Sequence, residues 1–228
     1  MTSKATKDTK ATLLTGLIQK GQLPEVKKMM RKLPINFPCN ASEATPLHVA
    51  SDNGQAEIVH YLIDRKKADV NVRDKQGWTP LHWACHSDQL AVVDVLIGFN
   101  ADVNIENGFI LFNNFYIFPS FVQKNIYLKN IHLIQLILPN AHFIFYFYFY
   151  FYLDTGCTPI DYFVRMPSQV SRPSLFERLF RTMIRRGANV NKQNKSGDTP
   201  LHSSAFRGKA PSVSLLLLHQ ANPNMKNK

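Results

Sequence analysis

The chain has 228 residues, of which 45% are apolar, and its formal net charge is +11. This composition provides for one elongated domain with a sizeable core. Cys39, Cys85 and Cys157 are odd in number and far apart, which argues against a disulfide framework or a zinc site and indicates reduced thiols in a cytoplasmic or nuclear protein.

The polar residues 1–10 are expected to be disordered, and no apolar segment follows them that would serve as a secretory signal. From Leu13 the pattern lines up with later segments, so residues 11–39 are predicted to form an N-terminal capping unit. Four basic residues there predict a solvated helical face, with a docking site for acidic partners as the alternative: Lys27, Lys28, Arg31 and Lys32.

The motif Thr-Pro-Leu-His begins at Thr45, Thr79 and Thr199, and a variant with Asp in place of His begins at Thr158. A threonine hydroxyl can accept a hydrogen bond from a free amide of the first helical turn, and proline at the first helical position loses no needed donor. Each motif therefore predicts the start of a short helix.

A second helix is predicted after each motif, because apolar residues recur there on one side of a helix. The third unit shows this in Val92, Val93, Leu96 and Ile97, and equivalent quartets begin at Ile58, Leu179 and Ser212. Asp88 takes the inter-helix turn position that Gly54 and Gly208 hold, and we expect it to tolerate the left-handed conformation. The apolar side of each helix pair needs a neighbouring pair to cover it.

The motifs return with a period of 33 residues, as from Ala68 to Ala101 and from Ala188 to Ala221, which indicates a solenoid. In motif and period the chain resembles the ankyrin-repeat family. The resemblance implies an all-α repeat solenoid, an ankyrin helix-turn-helix stack with β-hairpin-like finger turns. The predicted repeats cover residues 40–72, 73–107, 154–193 and 194–228.

Residues 108–153 lie between the third and fourth repeats. They contain 16 aromatic residues and only two charged ones, Lys124 and Lys129. Joining Asn107 to Asp154 restores the repeat register, so this segment is predicted to be an insertion into a finished unit and poorly ordered. Its prevalent residue types, Phe, Tyr, Ile, Leu, Asn and Lys, have AT-rich codons, which suggests an intron that was retained or read as coding sequence. Two alternatives remain: residues 130–153 anchor a scaffold in a membrane, or the segment is a lineage-specific hydrophobic loop.

The fourth repeat contains eight extra residues, and the prolines between Met166 and Ser174 predict an inter-helix loop. Arg178, Arg181 and Arg185 form one stripe, expected to be a solvated face, with an anionic lipid or an acidic protein as the alternative. The sequence stops two residues into a further repeat, so we expect a fragment of a longer protein.

No motif for catalysis, cofactor binding or metal binding is present, so neither a small-molecule substrate nor an enzymatic activity is predicted. The basic residues are scattered among the repeats, which argues against nucleic acid. His48, His82 and His202 match the family's motif histidine, and the resemblance implies structural hydrogen bonds between the first helix and the adjoining turn.

The resemblance implies a non-enzymatic scaffold or adaptor that binds a protein, which the net charge suggests is acidic, on a concave surface of finger tips and first helices. Trp78 is the preferred anchor, with packing on the next turn as the alternative, and Trp83 is expected to pack. The finger positions are Ala41, Ser42, Ala44, Lys75, Gln76, Trp78, Asp154, Thr155, Cys157, Lys195, Ser196 and Asp198. The first-helix positions are Asp52, Asn53, His86, Ser87, Arg165, Phe206 and Arg207.

A second hypothesis makes these repeats the targeting arm of a larger signalling enzyme, such as a kinase or a small-GTPase regulator. The third is the membrane-anchored scaffold that residues 130–153 would provide.

Overall fold

The computed structural model describes residues 2–108 and 156–228. The predicted insertion beyond Gly108, with the alternatives placed on residues 130–153, and the finger positions Asp154 and Thr155 lie outside the described residues. Within the described ranges the chain forms eleven helices and no strand.

In the four repeats that begin with the threonine–proline motif, the first helix is shorter than the second, whereas in the N-terminal unit the first helix is the longer one. The helices are α1 (Thr2–Gln19), α2 (Leu23–Met30), α3 (Pro46–Asp52), α4 (Ala56–Asp64), α5 (Pro80–His86), α6 (Leu90–Gly98), α7 (Pro159–Phe163), α8 (Ser168–Ser171), α9 (Pro173–Arg185), α10 (Pro200–Phe206) and α11 (Ala210–Leu218).

The helices stack in two rows. Helices α1, α3, α5, α7 and α10 contact one another in succession, and α2, α4, α6 and α9 form the second row. The segments that begin at Thr45, Thr79, Thr158 and Thr199 therefore lie side by side, and the predicted helical solenoid is confirmed.

The four short first helices start as their sequence predicts. Each has an extended threonine at the N-cap and a proline at the first helical position. At Thr79 the side-chain oxygen also accepts from the backbone N–H of His82 at 3.4 Å. Local capping thus sets the register of each repeat.

The turn between the two helices of a repeat needs one residue in the left-handed region. Gly54 and Gly208 have φ of +72° and +65°, and Asp88 has φ of +59° at the same position. The expectation that Asp88 tolerates this turn is confirmed.

The core lies between the helix rows and contains the predicted apolar quartets. Val92, Val93, Leu96 and Ile97 are all buried, as are their equivalents in α4. In α11, Leu216 is buried but Leu217 is 45% exposed, since no helix pair covers its outer side among the described residues.

Two local predictions were wrong. The residues predicted to be disordered at the N-terminus belong to α1, which begins at Thr2, and residues 2–10 contain no glycine or proline that would break the helix. The predicted loop in the fourth repeat contains α8, and Pro173 then opens α9. Proline fits the first turn of a helix, so these prolines start helices rather than break them.

Asparagine side chains link the loops that follow the second helices of adjacent repeats. The Oδ1 of Asn71 accepts from the backbone N–H of Asp102 at 2.9 Å, and the Oδ1 of Asn191 accepts from Asn222 at 2.7 Å. Between them, Asn104 accepts from the N–H of Asn189 at 3.1 Å. The recurring asparagine therefore fixes the spacing of adjacent repeats.

None of the described helices combines the length and apolar character that a membrane crossing requires.

Candidate functional site

The candidate site is the surface formed by the finger tips and the ends of the first helices, called the finger face below. One position at the end of the first helix recurs in each repeat, and it is occupied by Asp52, His86, Arg165 and Phe206. Arg165 follows α7 by two residues, whereas the other three close their helices. The stack brings these four side chains into one row.

An acidic or amide side chain holds each finger in shape. The Oδ1 of Asp74 accepts from the backbone N–H groups of Gln76 and Trp78, each at 2.9 Å. Asn194 does the same for Ser196 and Asp198, at 3.0 and 2.9 Å. These bonds explain why Asp or Asn recurs at the base of the fingers.

The third finger is formed by residues that lie before and after the segment 109–155. Asn107 Oδ1 accepts from the backbone N–H of Cys157 at 2.8 Å, which matches the bond from Trp78 to Asp74. Gly108 N–H donates to the carbonyl of Gln76 at 2.8 Å, as Lys75 N–H donates to Ser42 at 2.9 Å. Described residues on either side of 109–155 therefore form the same bonds as the preceding finger.

The motif histidines join each repeat to the next. Nδ1 of His82 accepts from the Thr79 backbone N–H at 3.2 Å, which leaves the proton on Nε2, and Nε2 donates to the Cys157 carbonyl at 3.1 Å. His48 makes the same pair of bonds to Thr45 and to Trp78. In both cases the ring spans from a first helix to the following finger.

Burial keeps these histidines neutral. Desolvation lowers the pKa of His82 to about 4, and it also lowers the pKa of His48.

In the last repeat His202 Nδ1 accepts from the Thr199 N–H at 3.2 Å. Asp161 replaces the histidine in the fourth repeat, where its Oδ2 accepts from the Thr158 N–H at 2.8 Å.

Aromatic rings meet in the middle of the finger face. The Trp78 ring is half-buried and lies 4.8 Å from the Tyr162 ring and 5.4 Å from the His86 ring, between centroids. Trp83 is also half-buried, and its Nε1 donates to Asp74 Oδ2 at 3.1 Å. Trp78 therefore packs on the next repeat while part of its ring stays accessible, which gives both interpretations of this residue a structural basis.

The residues predicted to bind a partner differ in exposure. Lys75, His86, Lys195, Phe206 and Arg207 are exposed, and Phe206 is 92% exposed. A further set is half-buried: Asp52, Asn53, Gln76, Ser87, Ser196 and Asp198.

Two finger positions proposed from the sequence do not present their side chains. Ala44 and Cys157 are completely buried, because both point into the stack beneath the finger.

Ser87 and Asp52 hydrogen-bond each other across adjacent repeats, and Lys75 forms an ion pair with Glu43 at 2.9 Å.

The two basic stripes proposed as alternatives lie on the second helices, except that Arg31 and Lys32 follow the end of α2 at Met30. Arg178 pairs with Asp94 at 2.9 Å and Arg181 with Glu177 at 2.7 Å, so part of that stripe is neutralised. The ammonium of Lys27 lies 5.3 Å above the Tyr61 ring, while Lys28 is exposed.

The described residues contain no group of three or more His, Cys, Asp or Glu side chains placed to hold a metal ion. The three cysteines are buried free thiols. Burial raises the pKa of Cys39 to about 12 and raises that of Cys85 as well, so both are protonated and unreactive at neutral pH.

Sequence reasoning missed the contacts that join the third and fourth repeats. Asp88 Oδ1 accepts from the backbone N–H of Ser168 at 3.2 Å and from its hydroxyl. The amide of Asn107 donates to the Tyr162 hydroxyl at 2.9 Å. The partners are 80 and 55 positions apart, so no local signal reveals them.

Comparison with known proteins gives matches on both sides of the insertion. A family model described as ankyrin repeats in three copies matches residues 14–107, and one described as ankyrin repeats in many copies matches residues 177–227. The 26S proteasome non-ATPase regulatory subunit 10 of Dictyostelium discoideum is 36% identical over 95 residues, which is 41% of either chain.

Two further relatives are similar over different lengths. A protein of Dictyostelium discoideum named probable serine/threonine-protein kinase is 27% identical over 184 residues, covering 79% of this chain and 15% of the kinase. NF-kappa-B inhibitor alpha of Gallus gallus is 47% identical over 62 residues, covering 27% of this chain and 19% of the inhibitor. The chain spans less than half the length of each of these relatives.

Proposed function

Because the chain belongs to the ankyrin-repeat family, whose repeats mediate protein–protein interactions, we propose that it is a non-enzymatic scaffold or adaptor that binds a partner protein on the finger face. The stack supplies a rigid support, and exposed side chains on it select the partner.

One observation carries this proposal. The positions that build the stack repeat the same residue types, as the Thr-Pro helix starts and the buried apolar quartets show. The row at the ends of the first helices, whose members are exposed or half-buried, instead carries four different chemistries: Asp52, His86, Arg165 and Phe206. A surface that varies while its support is constant is suited to specific recognition of a protein.

The experiment compares the full chain with two matched double variants as baits in cell extract. The first carries His86→Glu and Lys195→Glu on the finger face, and the second carries His60→Glu and Lys28→Glu on the second helices. All four residues are exposed, so both variants are expected to fold like the parent chain. Thermal unfolding checks this.

Proteins captured by the parent chain and by the second-helix variant, but lost from the finger-face variant, support the proposal. Loss from the second-helix variant alone contradicts it and would favour the basic outer face that contains Lys28.

A second candidate function is the targeting arm of a larger signalling enzyme, such as a kinase or a small-GTPase regulator. The match across 79% of this chain to 15% of a protein named as a kinase favours it. Sequencing the transcript beyond the codon for Lys228 tests it: an open frame with a catalytic motif supports this function, and a stop codon removes it.

We place the protein in the cytoplasm or the nucleus, a proposal supported by its three buried free thiols. The membrane-anchored scaffold rests on residues 130–153, outside the described structure. It is tested by whether the full chain sediments with lipid vesicles.

A further inference from the structure

We infer that the chain has a second binding surface, on the second helices of its first two units, and that this surface binds a bilayer containing anionic lipids. The surface, called the basic patch below, consists of seven cationic side chains in and after the last turns of α2 and α4: Lys27, Lys28, Arg31, Lys32, Arg65, Lys66 and Lys67. The inference goes beyond the proposed function, because the basic patch shares no residue with the finger face.

The basic residues of the first unit lie on one side of a helix whose other side is buried. Helix α2 buries Val26 and Met30 completely and exposes Lys27 and Lys28. Arg31 follows α2 with helical backbone angles, so it continues the exposed side one turn after Lys27. The cations therefore point away from the core.

The basic residues of the next repeat are neighbours of this side. The ammonium of Lys27 lies 5.3 Å above the Tyr61 ring of α4. The backbone N–H groups of Arg65 and Lys66 both donate to the Tyr61 carbonyl, at 3.0 and 3.2 Å, and Lys67 follows them. The two groups of cations consequently form one patch across two helices.

Carboxylates offset only part of this charge. Asp64 pairs with Arg65 at 3.0 Å and lies 4.0 Å from Lys67. Glu25 and Glu57 lie in the first turns of α2 and α4, whereas the basic patch occupies the last turns and the residues that follow. The positive charge is thus concentrated at one end of the two helices.

The cations of the first unit are available to a ligand. Lys28, Arg31 and Lys32 are exposed and form no ion pair within the described residues. Residues 109–155 contain a single acidic residue, Asp154. Charge complementarity therefore favours a partner with many negative charges.

The side-chain types favour the surface of a bilayer over a folded protein. Five of the seven cations are lysines, whose ammonium groups are compact charges on flexible stems, without the fixed geometry of a guanidinium. Such side chains recognise the density of negative charge and not the shape of a partner. Clusters of about four to eight Lys and Arg on an amphipathic helix are typical of sites for anionic lipids.

Binding through the basic patch would be peripheral. Met29 and Leu33, the apolar residues beside these cations, are half-buried and pack against the core. Because neither is free to insert into a bilayer, binding should depend on charge and should be weakened by salt. This distinguishes the basic patch from an anchor at residues 130–153, which would bind through apolar side chains.

The test measures how the full chain sediments with vesicles of phosphatidylcholine alone and with vesicles that also contain about 30% phosphatidylserine. The site variant carries Lys28→Glu and Arg31→Glu. The matched control carries Arg172→Glu and Arg207→Glu, which lie outside the basic patch and change the net charge by the same amount. All four residues are exposed, and thermal unfolding checks that both variants fold.

We expect the parent chain to bind the vesicles with phosphatidylserine and not those without it. The site variant should lower the partition coefficient about tenfold or more, and the control less than about threefold. Raising the salt from about 0.1 M to about 0.5 M should release the parent chain.

Four results would overturn the inference. They are no binding to the anionic vesicles, equal losses for the site variant and the control, binding that salt leaves unchanged, and equal binding to both kinds of vesicle, the last two of which would favour residues 130–153. Binding of polyglutamate but not of vesicles, lost in the site variant, would also overturn it and assign the basic patch to an acidic protein. None of these results decides the proposed function, since capture of proteins by the finger face is measured with the variants of His86 and Lys195.

Discussion

The backbone N–H of Cys157 donates to Oδ1 of Asn107 at 2.8 Å, although the two residues are 50 positions apart. The equivalent bond in the preceding finger, from Trp78 to Asp74, spans four positions. Removing the 46 residues 108–153 would make the two spacings equal, which supports the proposal that this segment is an insertion into a finished repeat.

We predict that a chain lacking residues 108–153 folds into the same stack. Joining Asn107 to Asp154 keeps both bonds between Asn107 and Cys157, and the N–H of Asp154 can replace that of Gly108 as the donor to Gln76, so the thermal midpoint should not fall. A deletion of residues 108–154 is the matched control, because it places Cys157 one position too close to Asn107. Losing two buried hydrogen bonds should cost roughly 2–4 kcal/mol and lower the midpoint by several degrees.

Circular dichroism on both deletions gives the comparison. Equal midpoints for the two chains, or a lower midpoint for the 108–153 deletion, would show that the register across the insertion has no role.

The stability of the stack should decrease on acidification from about pH 7.5 to pH 5. Burial lowers the pKa of His82 to about 4, against about 6.5 in an unfolded chain. Between these values the unfolded chain binds a proton that the folded chain does not, so the contribution is complete above pH 6.5 and is lost as the pH falls. His82 alone should lower the free energy of unfolding by roughly 2 kcal/mol between pH 7.5 and pH 5.

Urea unfolding of a His82→Asn chain across the same pH range checks this assignment. The variant should be less stable than the parent at neutral pH, because the Cys157 carbonyl loses its donor, and its stability should depend less on pH. In the control His60→Asn, at an exposed position, the free energy of unfolding should change with pH as it does in the parent. If the pH dependence of His82→Asn equals that of the parent, other groups cause the acid sensitivity.

Trp78 should contribute to folding as well as to the surface. Replacing it by alanine removes ring contacts with Tyr162 and His86, and we expect a loss of roughly 2–3 kcal/mol in the free energy of unfolding. Phe206→Ala is the control, since that ring is 92% exposed, and it should change stability by less than about 0.5 kcal/mol. If both variants change the free energy of unfolding by similarly small amounts, Trp78 does not contribute to folding.

Asp88 should stabilise the fold more than glycine would at the same turn position, although its backbone is left-handed. Glycine relieves strain of up to about 1 kcal/mol but removes the acceptor of two bonds from Ser168. Asp88→Gly should therefore lower the free energy of unfolding by about 1 kcal/mol, and Asp88→Asn by less.

A double-mutant cycle with Ser168→Ala isolates the bond from the Ser168 hydroxyl, because alanine keeps the backbone N–H donor. In the Asp88→Gly background, Ser168→Ala should have little further effect, whereas fully additive losses would show that the hydroxyl bond contributes nothing to stability.

The sequence was sufficient to predict the parts of the fold that depend on local spacing. Thr79 and Pro80 start a helix by their own chemistry, and Val92 with Leu96 marks a buried helical side. The contacts between Asp88 and Ser168, and between Trp78 and Tyr162, depend on how two repeats pack, so spacing within one repeat could not reveal them. The burial of Cys157 was missed for the same reason.

The most direct test of the account is hydrogen exchange of the full chain with and without a partner captured in the bait experiment. We predict slower exchange in the fingers and first helices, residues 74–87 and 194–207, on binding, and unchanged exchange in the second helices α2, α4 and α6. Protection confined to the second helices, with no change at Phe206 or His86, would contradict the proposal that the finger face binds the partner.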